Sequence, residues 1–112
     1  MAEINIRSRR SGQNFYSLDA KLEDGCLLLS GQDIGPVAED VWGGDSDYEY
    51  WYRFDAENTG KLFQHILGEE AASASDEALL NSFRDWMGAA ETEEKLTDAC
   101  REGGIHYEFF SY

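Results

Sequence analysis

The strongest constraint on the fold of this 112-residue chain is the alternation of residues at positions 48–55. A β-strand directs successive side chains to opposite faces. The two faces hold Tyr48, Tyr50, Tyr52 and Phe54 on one side, and Glu49, Trp51, Arg53 and Asp55 on the other. The all-aromatic face requires a core. Trp51, set among charged residues, leaves two interpretations: another layer or a loop covers it, or it anchors a binding partner.

A two-residue turn predicts a β-hairpin earlier in the chain. Asp24 and Gly25 are favoured where both central residues of a turn need positive φ. Closing the hairpin on this turn gives the pairs Glu23–Cys26, Leu22–Leu27 and Ala20–Leu29. The apolar pairs then share one face with Leu18 and Tyr16, so the turn and the hydrophobic pattern indicate the same register.

Apolar residues at helical spacing predict three helices after the aromatic strand. Asp55 or Asn58 caps the first, Ser75 the second and Thr92 the third, with Gly68 and Gly103 at helix ends. The chain therefore forms a single α+β domain, residues 1–112. It comprises a mostly antiparallel sheet of four to five strands (an N-terminal strand, the hairpin, the strand at 48–55 and a C-terminal strand at 105–111), with three helices on one face. We expect Ile105, Tyr107 and Phe109 to face the core.

The charge balance excludes several classes of partner. The formal net charge is −14, while 42% hydrophobic content with six Phe, six Tyr and three Trp indicates a folded chain. Direct nucleic-acid binding needs Lys and Arg opposite the phosphates, and an anionic membrane surface repels the chain likewise. A basic protein is the natural complement of this charge, although acidity also serves solubility alone.

The chain carries no motif of a catalytic, metal or cofactor site. Asp45, Asp47 and Glu49 imitate the start of an EF-hand loop, but Tyr50 stands where that motif needs Gly. His65 and His106 have no partner at ligand spacing. We therefore predict no enzyme, no cofactor and no bound metal. Cys26 and Cys100 are expected to be reduced thiols, which is typical of a cytoplasmic protein, and no secretory signal is predicted at the N-terminus.

Residues 36–47 are predicted to form a long loop that leads into the aromatic strand, and such loops tend to be functional or mobile. Acidic and aromatic side chains concentrate there and at the start of the strand. The candidate partner-binding residues are Glu39, Asp40, Trp42, Asp45, Asp47, Glu49 and Trp51. The carboxylates would accelerate association with a basic partner, and the two tryptophans would anchor the complex.

Three segments resemble a family of small, acidic, functionally uncharacterised bacterial proteins. They are Leu29-Ser30-Gly31-Gln32-Asp33-Ile34-Gly35, Asp47-Tyr48-Glu49-Tyr50 and Gly104-Ile105-His106-Tyr107-Glu108-Phe109-Phe110-Ser111. The resemblance implies a bacterial cytosolic protein and no activity. In size, acidity and aromatic content the chain is also similar in type to immunity proteins of bacterial toxin systems.

These features favour a non-enzymatic inhibitor or immunity-type protein that neutralises a basic partner such as a nuclease toxin. A nucleic-acid mimic that blocks a defence nuclease is a related interpretation. The alternative from a different class is a housekeeping or scaffold domain that forms a homodimer through the aromatic strand.

Overall fold

The computed structural model describes residues 2–11, 14–34, 47–88 and 94–111. Five antiparallel strands form one sheet in chain order: β1 (Ala2–Ser11), β2 (Asn14–Glu23), β3 (Cys26–Ile34), β4 (Asp47–Phe54) and β5 (Glu108–Ser111). Between β4 and β5 lie α1 (Ala56–Leu67), a 3₁₀-helix (Gly68–Ser73), α2 (Asp76–Met87) and α3 (Glu94–Gly103). The predicted α+β class is confirmed.

The hairpin of β2 and β3 has the predicted turn and register. Asp24 and Gly25 both have positive φ, 52° and 78°. The observed pairs include Glu23–Cys26, Leu22–Leu27 and Ala20–Leu29. This agreement follows because one register satisfies both the left-handed turn and the burial of every apolar residue on one face.

The core lies between one face of the sheet and the three α-helices. Its largest fully buried side chains are Phe54, Phe83, Leu18, Leu22, Leu27, Leu29, Leu62, Leu80, Met87 and Leu96. Tyr50 is also buried, whereas Tyr48 and Tyr52 are partly buried against the same core. The two unlike faces predicted for residues 48–55 are therefore confirmed.

The C-terminal strand is shorter than the predicted 105–111. The Ile105 N–H donates to the Cys100 carbonyl (2.9 Å), and the His106 N–H donates to Asn58 Oδ1 (2.9 Å). Because these two donors are used outside the sheet, pairing with β4 begins only at Glu108. Phe109, expected in the core, lies on the helix side of this edge strand and remains 50% exposed.

The aromatic strand ends one residue before the predicted boundary, because Asp55 caps α1. Its carboxylate accepts from the Asn58 N–H (2.8 Å) and from Asn58 Nδ2 (3.0 Å). Ser75 caps α2 as predicted by accepting from the Ala78 N–H. Gly68 follows α1 with φ 66°, as expected for a residue that ends a helix. The predicted cap Thr92 lies outside the described residues.

The Asp55 cap makes stability depend on pH. Its hydrogen bonds with Asn58, first the backbone N–H and then the side-chain amide, hold the pKa of Asp55 below its ordinary value of 3.8. Because the folded state has the lower pKa, the stabilisation is complete above the unfolded pKa and is lost as pH falls through the folded one. The difference in unfolding free energy between wild type and Asp55→Asn should therefore change below pH 3.8 and stay constant near neutrality. Denaturant titrations across this range measure it, and a difference independent of pH would contradict the cap.

Candidate functional site

The described helices all pack on one face of the sheet, and the candidate site lies on the opposite face. We call this the helix-free face; it is formed by outward side chains of β2 to β5. Its central row follows the strand register: Asp19 pairs with Ser30, Ser30 with Trp51, and Trp51 with Phe110. The row arises because all four residues are in register on adjacent antiparallel strands and so point the same way.

Two aromatic rings stack at one end of this row. The ring centroids of Trp51 and Phe110 lie 5.4 Å apart, with 21° between the ring planes. Trp51 is partly buried, whereas Phe110 is 41% exposed. Phe110 therefore covers part of Trp51, although the helices α1 to α3 lie between the two residues in the chain. The two rings form an apolar patch beside the polar and acidic residues Ser30, Asp19 and Glu49.

An ion pair borders the aromatic stack. Arg53 Nη2 lies 3.0 Å from both carboxylate oxygens of Glu108, and the Arg53 guanidinium carbon lies 5.7 Å from the centroid of the Phe110 ring. The side chains of Arg53 and Glu108 are 56% and 69% exposed, so the pair adds little to stability. It does orient the guanidinium over an aromatic ring on the surface.

A depression of about 190 Å³ lies on the other side of Trp51 along the sheet. It is lined by Ser17, Asp19, Ser30, Gly31, Gln32, Glu49 and Trp51. Asp19 Oδ1 accepts one hydrogen bond from Asn5 Nδ2 (2.8 Å). Among the described residues nothing hydrogen-bonds or ion-pairs with Glu49, and the lining includes two carboxylates and no cation.

The predicted site residues are only partly brought together. Glu49 and Trp51 share the helix-free face, at the depression. Asp47 pairs with Ile34 through the backbone at the start of β4. The other four predicted residues lie outside the described part of the chain: Glu39, Asp40, Trp42 and Asp45.

Asp19 and Phe110 are the site residues that sequence reasoning missed. The predicted hairpin already put Asp19 on the outward face of β2, because it alternates with Leu18 and Ala20. What was missing was the register of β3 with β4, which places Trp51 beside Ser30 and so near Asp19. Phe110 lies beside Trp51 only because β5 pairs with β4, and 58 residues separate the two in the chain. No local pattern predicts this pairing.

The remaining reactive side chains do not gather at this site. Burial raises the pKa of the Cys100 thiol to about 11, so that it stays protonated and a poor nucleophile. Cys26 is a partly buried free thiol beside the hairpin turn, and His65 and His106 are exposed. Within residues 2–11, 14–34, 47–88 and 94–111, no three His, Cys, Asp or Glu side chains are grouped as metal ligands.

Comparison of the chain with protein-family models, curated proteins and solved structures returned no match. No helix among the described residues is long and apolar enough to cross a membrane. The fold and surface define an acidic α+β protein with aromatic and carboxylate groups side by side on the helix-free face.

Proposed function

We propose that this chain is a non-enzymatic binding protein, of the inhibitor or immunity type, that recognises a basic protein such as a nuclease toxin. The observation that carries the proposal is the Trp51–Phe110 stack on the helix-free face, next to the Glu49 carboxylate, which has no ion-pair partner among the described residues. Partly exposed Trp and Phe gain free energy when a partner removes them from water, and Trp is enriched in interface hot spots.

The charge of the chain supports a basic partner. A net charge of −14 raises the encounter rate with a cationic surface and repels nucleic acid. In a nuclease cleft that normally holds phosphates, carboxylates can occupy the same positions. The aromatic stack then holds the complex after the encounter, since buried apolar contacts mainly slow dissociation.

Charge reversal on the helix-free face tests this proposal. The variant Asp19→Lys with Glu49→Lys is compared with Glu69→Lys and Glu70→Lys in the exposed 3₁₀-helix, which changes net charge equally. Each protein is immobilised, exposed to bacterial lysate and eluted in salt steps, and the eluates are quantified by mass spectrometry. We expect a basic protein retained by wild type and by the 3₁₀-helix variant, and lost from the helix-free-face variant.

With that protein purified, the association rate at low salt should fall by about tenfold for the helix-free-face variant relative to its charge-matched control. Equal capture by the two variants, or equal association rates, would contradict the proposed face. Inhibition of the captured protein's activity by wild type would assign the inhibitor role.

A homodimer is the second candidate, and the exposure of β5 favours it. Phe109 is 50% and Phe110 41% exposed on an edge strand that pairs only with β4 among the described strands. Such an edge is a template for pairing with another chain. In this case sedimentation of wild type alone gives a dimer, and the capture experiment returns no basic protein.

A further inference from the structure

We infer that the depression between Asp19, Glu49 and Trp51 binds an arginine side chain of the partner; the inference rests on the proposed function and specifies its central contact. A guanidinium group would lie against Trp51 and donate hydrogen bonds to the carboxylates of Asp19 and Glu49. This combination of an aromatic surface and carboxylates is the usual environment of a bound guanidinium in proteins.

The same surface already contains this arrangement within the chain. Arg53 lies over the Phe110 ring and forms two 3.0 Å contacts with the Glu108 carboxylate. The depression has the same kinds of partner, an aromatic ring and carboxylates, on the next part of the face, and the described residues that line it include no cation. The contacts of Arg53 with Phe110 and Glu108 therefore indicate that a guanidinium group complements the aromatic ring and the carboxylates of the depression.

Other aromatic side chains of the chain have cations of their own. Arg10 lies 5.7 Å from the Phe15 ring centroid, and Lys95 Nζ lies 4.9 Å from that of Trp86. Trp51 stacks on Phe110, and no Lys or Arg among the described residues lies over the Trp51 ring. It is thus the aromatic residue on this face whose cationic contact is left for a partner to supply.

The size of the depression favours one side chain over a small-molecule ligand. Its volume of about 190 Å³ is below the roughly 300–1,000 Å³ of sites that enclose drug-sized ligands. Its polar rim supplies hydrogen-bonding groups at Ser17, Ser30 and Gln32 in addition to the carboxylates. Arginine, with five donors in a planar group, satisfies more of these acceptors than lysine does.

The test uses three blocked tripeptides that differ only in the central residue: arginine, lysine or citrulline. Citrulline keeps the shape of arginine without its charge. Each peptide is titrated at low ionic strength into the full chain while the indole N–H of Trp51 and the amide of Glu49 are followed by NMR. We expect saturable shifts with arginine, about tenfold weaker binding with citrulline, and intermediate binding with lysine.

Two charge-neutralising variants make the result specific to this depression. Asp19→Asn with Glu49→Gln should abolish the arginine-dependent shift of Trp51. Glu69→Gln with Glu70→Gln, which removes the same charge elsewhere, should retain it. Equal binding of arginine and citrulline, or a shift that survives in the first variant, would overturn the inference.

The absence of any saturable shift at Trp51 would overturn it as well. This failure is distinguishable from failure of the proposed function, because the lysate experiment compares whole-protein capture by charge-reversed faces. A face that captures a basic protein yet does not bind arginine would recognise its partner by other contacts.

Discussion

Replacing Gly31 with alanine is expected to destabilise the fold by about 1–3 kcal/mol, the usual cost of overpacking a core. A Cβ at this position would lie 2.0 Å from Cζ of Tyr50, well inside van der Waals contact. Gly31 and Tyr50 are direct partners on β3 and β4, and the tyrosine ring covers the glycine on the helix side. The ring cannot easily move aside, because its centroid lies 5.6 Å from that of Tyr48 and 6.3 Å from that of Phe109.

Gly60→Ala is the matched control, and its expected effect has the opposite sign. Gly60 is exposed within α1, and a Cβ there meets nothing within 4 Å. Alanine exceeds glycine in helix propensity by about 1 kcal/mol, so Gly60→Ala should stabilise the chain by up to that amount. Denaturant unfolding monitored by circular dichroism measures both variants.

A double-mutant cycle identifies Tyr50 as the cause. In a Tyr50→Val background the ring is gone, and Gly31→Ala should then be close to neutral, because alanine meets no aromatic carbon. If Gly31→Ala destabilises equally in both backgrounds, the contact with Tyr50 is not the reason. If Gly31→Ala leaves stability unchanged in the wild type, the packing of Tyr50 over Gly31 is wrong.

Thr59→Val should give the second large effect, a loss of about 1–3 kcal/mol from a change that nearly preserves shape. Thr59 Oγ1 accepts from the backbone N–H of Leu27 (3.0 Å) and donates to the Phe54 carbonyl (3.4 Å). Leu27 is fully buried and Thr59 is 4% exposed. Removal of the hydroxyl leaves the Leu27 N–H without a partner in the core, and a buried unsatisfied donor carries the full desolvation penalty.

Thr59→Ser separates the hydroxyl from the methyl group. Serine keeps the acceptor and loses one methyl, which costs about 0.8 kcal/mol by burial alone. Hydrogen exchange at Leu27 gives the local readout: protection should fall in Thr59→Val and persist in Thr59→Ser. Equal protection in both variants would show that Thr59 does not hold this amide.

The parts of the fold that short segments determine could be predicted from the sequence. Asp24 and Gly25 define the turn, and the apolar alternation around them defines the register of β2 with β3. Ser75 and Gly68 mark helix boundaries by their own capping chemistry. In each case the interacting groups are neighbours in the chain, so local patterns contain the information.

The candidate site could be predicted only in part, since Glu49 and Trp51 were identified while Asp19 and Phe110 were not. Alternation along one strand showed that Glu49 and Trp51 point away from the core. It contained no information about which residues of other strands lie beside them. The predicted start of the C-terminal strand was wrong for a similar reason. The side chain of Asn58, which is distant in sequence, accepts from the His106 N–H, and this N–H is therefore not used for pairing in the sheet.

By itself, the sequence determined the fold class, the hairpin register and the acidic character of the surface, because these depend on local periodicity and composition. Only the tertiary structure decided that Phe110 stacks on Trp51, that Asp19 and Glu49 border one depression, and that Tyr50 covers Gly31. The physical reason is that strand order and the register between β3, β4 and β5 result from burying one shared core. Side chains on the helix-free face are then brought together as a consequence of packing on the opposite side.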